Sequence, residues 1–503
     1  MSPSLLFAFV IGYFLLLLAV AYGTSRNSDN DSFFIGNRKS NWMLVAFGMI
    51  GTSLSGVTFV SVPGTVGDFA GDSSKAFTYF QVVIGYFIGY FIIAFILLPL
   101  YYHLQLKSIY HYLQTRFGKT AYKTGSLFFI ISRTVGATAR LYLVINVLQI
   151  FILDAIGVPF FVTAMVILLM ILLYTFEGGV KTIVYTDTLQ TTFMLAGMIV
   201  CILYIMTHMG LSLRSTMETL SVKRLTHIFN IDINSKAFFL KQIVGGMFIT
   251  IGMTGLDQEM MQKNISVKNL HDSQKNMISF SVILVVVNFL FLLLGGLLYL
   301  YALGHGASYS GHQLILHGNN IIGDDIFPDT ALHYLPKAIS IIFIIGLISA
   351  LFPSADGALT ALTSSFCIDM IGLTKNSDLT EQQKRKRRMV VHFSFAVVFL
   401  VCILVFKWIN NKSIINIILD LAGYTYGPLL GLFSFGIFTR RLLPESWKTT
   451  TVCLAAPALC YFLSANAARW FGGYQIGIEL LLIDGILTFA GLFIISKKRV
   501  SVN

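Results

Sequence analysis

Charged side chains stand inside some of the most apolar stretches of this 503-residue chain. Arg133 and Arg140 are seven residues apart, a spacing that puts both on one face of a helix. An arginine keeps its charge and costs at least about 2.5 kcal/mol at the centre of a membrane, so each needs an anion or water. We expect one of the two to bind an acidic solute. An internal ion pair with Asp187, Asp257 or Asp420 is the alternative, and the sequence does not choose between the two arginines.

Two apolar stretches are interrupted at their centres by glycine and hydroxyl residues. Residues 41–62 contain Gly48-Met-Ile-Gly51-Thr-Ser-Leu-Ser-Gly56, and residues 242–261 contain Gly252-Met-Thr-Gly255-Leu-Asp257-Gln258. Because a bilayer offers no water to a loosened backbone, such breaks persist only where the freed carbonyl and amide groups line a site. Carbonyl and hydroxyl oxygens are the ligands that a hard cation prefers. The two breaks therefore indicate a transport site.

The composition excludes an ordinary soluble protein. Hydrophobic residues make up 56% of the chain and charged residues 12%, and the mean hydropathy is +0.77. Thirteen stretches reach about 20 residues, enough to cross a hydrocarbon core of about 30 Å. We predict an all-α integral membrane protein with about 13 transmembrane helices. The net charge of +12 does not indicate nucleic acid, because the basic residues are scattered beside apolar stretches, and the lipid bilayer is the expected partner.

The basic residues of the connections predict how the chain is oriented. Alternate connections carry 23 Lys and Arg residues in one set and 10 in the other. Because connections rich in Lys and Arg stay in the cytoplasm, the first set, which includes residues 262–276, is predicted to be cytoplasmic. We expect a multi-pass protein of the cell membrane with its N-terminus outside and its C-terminus in the cytoplasm.

Seven short motifs occur in the order and spacing of a known family. They are Thr52-Ser-Leu-Ser-Gly-Val-Thr58-Phe-Val-Ser61-Val-Pro63, Leu98-Pro-Leu-Tyr101, Ser108-Ile-Tyr-His-Tyr-Leu-Gln-Thr-Arg-Phe-Gly118, Tyr185-Thr-Asp187-Thr-Leu-Gln190, Asp257-Gln258 through Gln262-Lys263, Ala350-Leu-Phe-Pro-Ser354-Ala-Asp356, and Gly427-Pro-Leu-Leu-Gly431. Together they resemble the sodium:solute symporter family, from about Ser32 to Arg441.

The resemblance implies a fold like that of the bacterial leucine transporter. Residues 31–441 would form a ten-helix core of two inverted five-helix halves, with the breaks in the first and sixth helices. Residues 1–30 would be a leading transmembrane helix and a cytoplasmic loop, and residues 442–503 two trailing transmembrane helices and a short cytoplasmic tail. The implied activity is symport, in which inward sodium flow drives solute uptake. Sodium is the coupling ion, no other cofactor is implied, and we expect the protein to function as a monomer.

The resemblance also implies a sodium site between the first and eighth core helices. Carried over by position, its ligands would be the carbonyl oxygens of Gly51, Leu54 and Ala350 and the hydroxyl of Ser354. The chain departs from the family at Pro353, where a second Ser or Thr usually stands. The proline removes that hydroxyl but also frees the carbonyl of residue 349, and a simple kink in the helix is the alternative interpretation.

Asp187 is a carboxylate in an otherwise apolar stretch and needs a partner. The resemblance makes it a candidate for a second sodium site. Because Gly357, one turn beyond Ser354, offers no side-chain oxygen, we prefer a role for Asp187 in supporting the main sodium site. A structural pair with a lysine or arginine is the alternative.

Substrate residues are expected around the breaks and on the helices that face them. The candidates are Ser53, Ser55, Thr58, Gln81, Arg133, Arg140, Asp257, Gln258 and Asp420. The hydroxyl pattern of the first core helix resembles that of sialic acid symporters, which hold a carboxylate with an arginine of the third core helix. An anionic sugar such as sialic acid is therefore the preferred substrate.

Other functions stay open at this point. A neutral sugar, an amino acid or a monocarboxylate could replace the anionic sugar, and proton coupling through Asp187 could replace sodium. A membrane enzyme or sensor on the same fold is the alternative of a different class. We expect no enzyme, because the sequence has no buried His-Glu or Ser-His set at catalytic spacing and no nucleotide-binding loop.

Overall fold

The protein is almost entirely helical. The computed structural model describes residues 3–25, 30–67, 75–175, 179–310, 313–316, 318–321, 323–373, 378–409 and 414–498. The long helical elements are α1 (Pro3–Ser25), α2 (Trp42–Leu54), α3 (Gly56–Gly64), α4 (Tyr79–His103), α5 (Lys119–Ile156), α6 (Phe160–Thr175), α7 (Gly179–His208), α8 (Phe239–Gly255), α9 (Gln258–Ile265), α10 (Leu270–Gly304), α11 (Lys337–Met370), α12 (Glu381–Ile409), α13 (Ile414–Phe438), α14 (Trp447–Trp470) and α15 (Leu480–Ile495).

Short elements lie in the connections. The short α-helices are Asn30–Ile35, His111–Phe117, Leu213–Val222 and Ile326–Asp329, and shorter 3-10 and π-helical turns lie at Gly36–Arg38, Gly323–Asp325 and Thr330–Tyr334. A three-stranded antiparallel sheet in the order β1-β2-β3 follows α10, with β1 at Ser308–Ser310, β2 at Gln313–Leu316 and β3 at Asn319–Asn320. Its register pairs Tyr309 with Leu314 and Ile315 with Asn320.

The helices agree with the predicted membrane architecture. Within the described ranges, eight helices are long and apolar enough to cross a membrane, or ten if each of two bent pairs is one span. Three shorter apolar helices, at Ala8–Thr24, Phe160–Thr175 and Leu480–Ile495, would complete thirteen. That these three cross the membrane stays a prediction. Helix α11 is the most enclosed, with 72% of its apolar window buried, against 22% for α12 and for α14.

The first predicted break separates α2 from α3. The two helices meet at a bend of 55°, and Ser55 between them has φ 17° and ψ 175°, outside the helical region. A glycine must follow, because a Cβ on Gly56 would lie 2.0 Å from Cγ2 of Val144 on α5. The break therefore brings the backbone of α3 directly against α5.

The second predicted break separates α8 from α9 at a bend of 64°. The last five residues of α8, Ile251–Gly255, form a π-helical turn, and α9 begins after Asp257, whose carboxylate accepts the N–H groups of Glu259 and Met260. Helix α9 continues to Ile265, four residues beyond the predicted end of this stretch. The orientation count placed Lys263 in a cytoplasmic connection, and this was wrong, because the residue is in α9 and is only 2% exposed.

Glycines allow close packing between helices from the two halves. A Cβ on Gly85 of α4 would lie 2.2 Å from the carbonyl oxygen of Ile243 on α8, and one on Gly246 would lie 2.5 Å from that of Val82. Helices α4 and α8 therefore approach each other at backbone distance. Helix α7 packs against both α2 and α11, so the broken helix is held on two sides.

Candidate functional site

A cavity of about 100 Å³ lies where the two broken pairs meet. Its lining comes from α2 and α3 with the break between them, and from α4, α5, α8, α9 and α10. The lining residues are Thr52, Ser53, Leu54, Ser55, Val57, Thr58, Tyr79, Tyr86, Tyr90, Arg133, Arg140, Ile249, Thr250, Met253, Thr254, Met260, Leu284 and Asn288. Five predicted substrate residues are among them, namely Ser53, Ser55, Thr58, Arg133 and Arg140.

Three tyrosines of α4 form one wall of the cavity. Tyr79, Tyr86 and Tyr90 follow a spacing of seven and four residues, which places them on one face of the helix. Asn288 of α10 adds an amide to the same lining. None of these residues was among the predicted site residues, although the sequence shows the spacing of the tyrosines within an apolar helix.

The two arginines of α5 have different surroundings. Arg133 is 3% exposed and forms an ion pair with Glu259, and its guanidinium also lies 3.8 Å from Asp257. Arg140 is partly exposed and forms no ion pair with any residue that the structure describes. Both line the cavity, so Arg140 is the arginine with its charge available to a ligand.

Glu259 is a charged residue that the sequence analysis missed. It is fully buried, binds Arg133, and its Oε1 lies 3.6 Å from Nζ of Lys263 one turn further along α9. The i,i+4 spacing of Glu259 and Lys263 next to Met260-Met261 was the available signal.

Asp257 supports the second break and does not line the cavity. Its Oδ1 accepts the N–H of Glu259 at 2.9 Å and of Met260 at 3.3 Å, and its Oδ2 accepts the hydroxyl of Tyr426 at 2.8 Å. These bonds fix the start of α9 and tie it to α13. The structure therefore gives Asp257 a positioning role at the start of α9, and its contact with the solute stays a prediction.

The two predicted glutamines also bind backbone groups outside the cavity lining. Gln258 donates to the carbonyl of Lys107 at 3.0 Å and accepts the N–H of Ile109 at 3.0 Å. The amide of Gln81 has three backbone partners, which are the carbonyls of Thr78 and Ala237 and the N–H of Asn230. Both side chains are fully buried, and a buried amide must satisfy its donors and acceptors where it is.

Asp420 lies in α13, and its side chain belongs to the part of the chain that the structure does not describe.

Asp187 has a lysine partner. Nζ of Lys263 lies 2.7 Å from Oδ2 of Asp187 and donates to Oγ1 of Thr52 at 2.7 Å. The Thr52 hydroxyl in turn donates to Oδ2 of Asp187 at 3.2 Å. The structure therefore contains the ion pair with a lysine that was the alternative prediction for Asp187. The preferred role, support of the main sodium site, stays a prediction. Sequence pattern could not decide this, because the partners are 76 residues apart.

The predicted sodium residues lie along the contact between the broken helix and α11. A Cβ on Gly51 would lie 3.6 Å from Cγ of Pro353, and the carbonyl oxygen of Ala350 lies 3.8 Å from the position of a Cβ on Gly56. The N–H of Gly51 donates to Oγ1 of Thr191 on α7 at 3.1 Å. The structure therefore brings Gly51 and Ala350 to one helix contact, and the ring of Pro353 faces it.

Two further predicted sodium residues flank this contact. Leu54 is part of the cavity lining, and the hydroxyl of Ser354 donates to the carbonyl of Leu351 within α11 at 3.1 Å. A hydroxyl oxygen that donates one bond keeps lone pairs for a cation.

The family of this chain follows from its match to a known family of proteins. The model of the sodium:solute symporter family matches residues 33–445 of this chain. The chain belongs to the sodium:solute symporter family. The predicted resemblance is confirmed, and with it the activity of a sodium-coupled solute symporter embedded in a membrane by many helices.

Curated relatives of this symporter match along nearly its whole length. The sodium/sialic acid symporter NanT of Aliivibrio fischeri is 22% identical over 493 residues, with 94% of this chain and 90% of that protein covered. The sodium/sialic acid symporter SiaT of Proteus mirabilis is 22% identical over 517 residues, covering 98% and 96%. A solved structure of a sodium-coupled sialic acid symporter in a substrate-bound outward-open state has a TM-score of 0.80 at 19% identity, with 98% of this chain and 99% of that chain covered. At this identity the likeness shows the fold, and it confirms the predicted transporter architecture.

The site of this symporter has two sides that share the broken helix. Thr52, Ser53 and Leu54 line the cavity, while Gly51 and Gly56 lie in close contact with α11, α7 and α5. The cavity presents hydroxyl groups and the guanidinium of Arg140, which has no ion pair among the described residues, and the other side presents backbone and hydroxyl oxygens. This arrangement can bind an anion in the cavity and a cation on the other side of the bend between α2 and α3.

Proposed function

We propose that the protein imports a small polyhydroxylated organic acid together with sodium, with sialic acid or another anionic sugar as the preferred substrate. The observation that carries the proposal is Arg140, a guanidinium in the cavity without an ion pair among the described residues. A planar guanidinium fork suits a carboxylate. The relatives that match along nearly the whole chain are named sodium/sialic acid symporters, which supports the same substrate class.

The rest of the lining suits the hydroxyl groups of such an acid. Ser53, Ser55 and Thr58 offer hydroxyls near the break, and Asn288 offers an amide from α10. The rings of the α4 tyrosines supply apolar faces with polar edges, which fit a sugar ring better than a small monocarboxylate. We propose Arg140, Ser53, Ser55 and Thr58 as direct ligands of the solute.

Sodium is proposed to bind between the broken helix and α11. Its ligands would be the carbonyl oxygens of Gly51, Leu54 and Ala350 and the hydroxyl of Ser354, with Asp187 acting through Thr52 rather than directly. Because Leu54 also lines the cavity, a bound cation would stabilise the conformation of the break that the solute needs. Pro353 leaves this site with one hydroxyl fewer than the family pattern.

We further propose that the protein works as a monomer without enzymatic activity, with its N-terminus outside and its C-terminus in the cytoplasm. The division into a leading helix (1–30), a core (31–441) and two trailing helices (442–503) is part of the same proposal. In support, α1 packs against α6, α7 and α11, and α15 packs against α13.

The test is solute uptake by purified protein in liposomes, with an inward gradient of sodium or of potassium at equal pH on both sides. Sialic acid, a uronic acid, the matching neutral sugar, an amino acid and a monocarboxylate are compared. We expect uptake of the sugar acids in sodium, and Pro353→Ser should lower the sodium concentration for half-maximal uptake. Equal uptake in both salts, or a preference for the neutral sugar, would contradict the proposal.

A further inference from the structure

We propose that the ammonium group of Lys263 is a tethered cation that fills a second cation position beside the solute cavity. The symporter would then couple uptake to a single sodium ion. This inference rests on the proposed sodium-driven uptake, and it concerns how many ions accompany each solute.

The surroundings of the ammonium group are those of a bound cation. Nζ of Lys263 lies 2.7 Å from Oδ2 of Asp187, 2.7 Å from Oγ1 of Thr52 and 3.6 Å from Oε1 of Glu259. These oxygens come from α7, α2 and α9, which are three separate elements, and the lysine side chain is 2% exposed. Carboxylate and hydroxyl oxygens converging from several helices are also what a hard metal cation requires. The lysine supplies the positive charge that would otherwise come from solution.

The lysine leaves some of the carboxylate oxygens around this position without a hydrogen bond. Oδ1 of Asp187 and Oε1 of Glu259 are buried and have no hydrogen-bond partner among the described residues. A lysine ammonium has three donors and cannot satisfy every lone pair of two carboxylates. A sodium ion in its place could use oxygens that the lysine leaves unbonded.

The position is adjacent to the cavity. Thr52 touches Lys263 and also lines the cavity, so a single side chain separates the ammonium group from the space where the solute would bind. An ion from the solution could therefore reach the position if the lysine side chain were removed. The ion would then compensate Asp187, which would otherwise be a buried charge with no cationic partner among the described residues, while Glu259 keeps its ion pair with Arg133.

The experiment compares the sodium dependence of solute uptake in the parent and in Lys263→Ala. We expect a Hill coefficient for sodium near one in the parent and approaching two in Lys263→Ala, because the variant must bind a second ion. Lys263→Arg keeps the charge and should stay near one. Lys268→Ala, five residues further along and exposed, is the matched control for loss of a lysine and should behave as the parent does.

A double variant tests whether the charge of Asp187 creates the need for a second cation. Lys263→Ala with Asp187→Asn removes one charge of each sign, so the demand for a second cation should fall and the Hill coefficient should return toward one. A Hill coefficient near one in Lys263→Ala would overturn the inference. So would a double variant that still approaches two.

If Lys263→Ala does not fold, the ion stoichiometry of the parent protein provides an independent test. The ratio of sodium to solute entering liposomes is measured with labelled sodium and labelled solute. A ratio of about one supports the tethered cation, and a ratio of about two overturns it while leaving sodium coupling intact. If solute uptake by the parent protein did not depend on sodium, that result would instead contradict the proposed function.

Discussion

Two arginines on one face of α5 illustrate how residue chemistry depends on neighbours. Arg133 is enclosed by Glu259 and Asp257 of the second break, while Arg140, two turns further, meets the cavity without an ion pair in the described part of the chain. The first arginine therefore holds α5 against the start of α9. The second has its charge available to a solute.

Replacing each arginine by glutamine should separate these roles. Arg140→Gln is expected to weaken binding of an acidic solute by about 2 to 5 kcal/mol with little change in melting temperature, because it removes the proposed partner of the solute carboxylate and breaks no ion pair within the described part of the protein. Arg133→Gln should lower stability by about 3 to 5 kcal/mol even without solute, because buried Glu259 loses the nearer of its two cationic partners. Solute titration and thermal unfolding of each variant measure the two effects. An Arg140→Gln protein that binds the acid as tightly as the parent would exclude Arg140 as its ligand.

At the residue level, the sequence predicted the charged side chains of the site more accurately than it predicted the partners of those side chains. Arg133, Arg140 and Asp187 were identified as costly charges in apolar stretches, and the structure places all three at or beside the cavity. The partners of Arg133 and Asp187, which are Glu259 and Lys263, lie in α9, at least 76 residues away along the chain. Spacing along one helix carries no information about contacts of that kind, so the choice between the arginines needed the fold.

At the level of elements, glycine decides where helices can touch. Gly85 and Gly246, which allow the backbone contacts between α4 and α8, lie outside the two runs of glycine and hydroxyl residues that predicted the breaks. The end of α9 was predicted too early, because Gln262, Lys263 and Asn264 read as a polar loop. They are buried polar residues instead, and hydropathy alone cannot distinguish a buried polar turn of helix from a loop.

The contact between α4 and α8 predicts the effect of a single methyl group. In Gly85→Ala the new Cβ would lie 2.2 Å from the carbonyl oxygen of Ile243 and 2.8 Å from the amide nitrogen of Met247, and backbone atoms cannot give way as a side chain can. Stability should fall by about 1 to 3 kcal/mol. Gly136→Ala in α5, where nothing lies within 4 Å of the Cβ position, should gain up to about 1 kcal/mol from helix propensity. Thermal unfolding in detergent without solute compares the two, and equal melting temperatures would contradict the close approach of α4 and α8.

At the scale of the whole molecule, the two bent helix pairs bring the site residues together, and the outer helices surround them. Helix α11 is the most buried of the long helices and contacts α2, α3 and α7, while α12 and α14 are mostly exposed on their apolar surfaces. Those exposed apolar residues require a lipid environment. The orientation in that environment follows from charge, and the α8–α9 pair offers a place to test it, because the connection before it and the connection after it should lie on opposite faces of the membrane.

Single cysteines at Asn234 and Lys268 should report that orientation. Both positions are exposed, and the bent α8–α9 pair, counted as one span, lies between them. Because Lys268 lies between α9 and α10 and Lys275 is exposed near the start of α10, this side of the α8–α9 pair is still expected in the cytoplasm after Lys263 is assigned to α9. A membrane-impermeant maleimide on intact cells should therefore label Asn234→Cys and leave Lys268→Cys unreacted until the membrane is opened. The parent gives the background, which should be low because four of its five cysteines are buried. The reverse pattern would mean an inverted protein, and labelling of both positions on intact cells would mean that the α8–α9 pair returns to the face from which it entered.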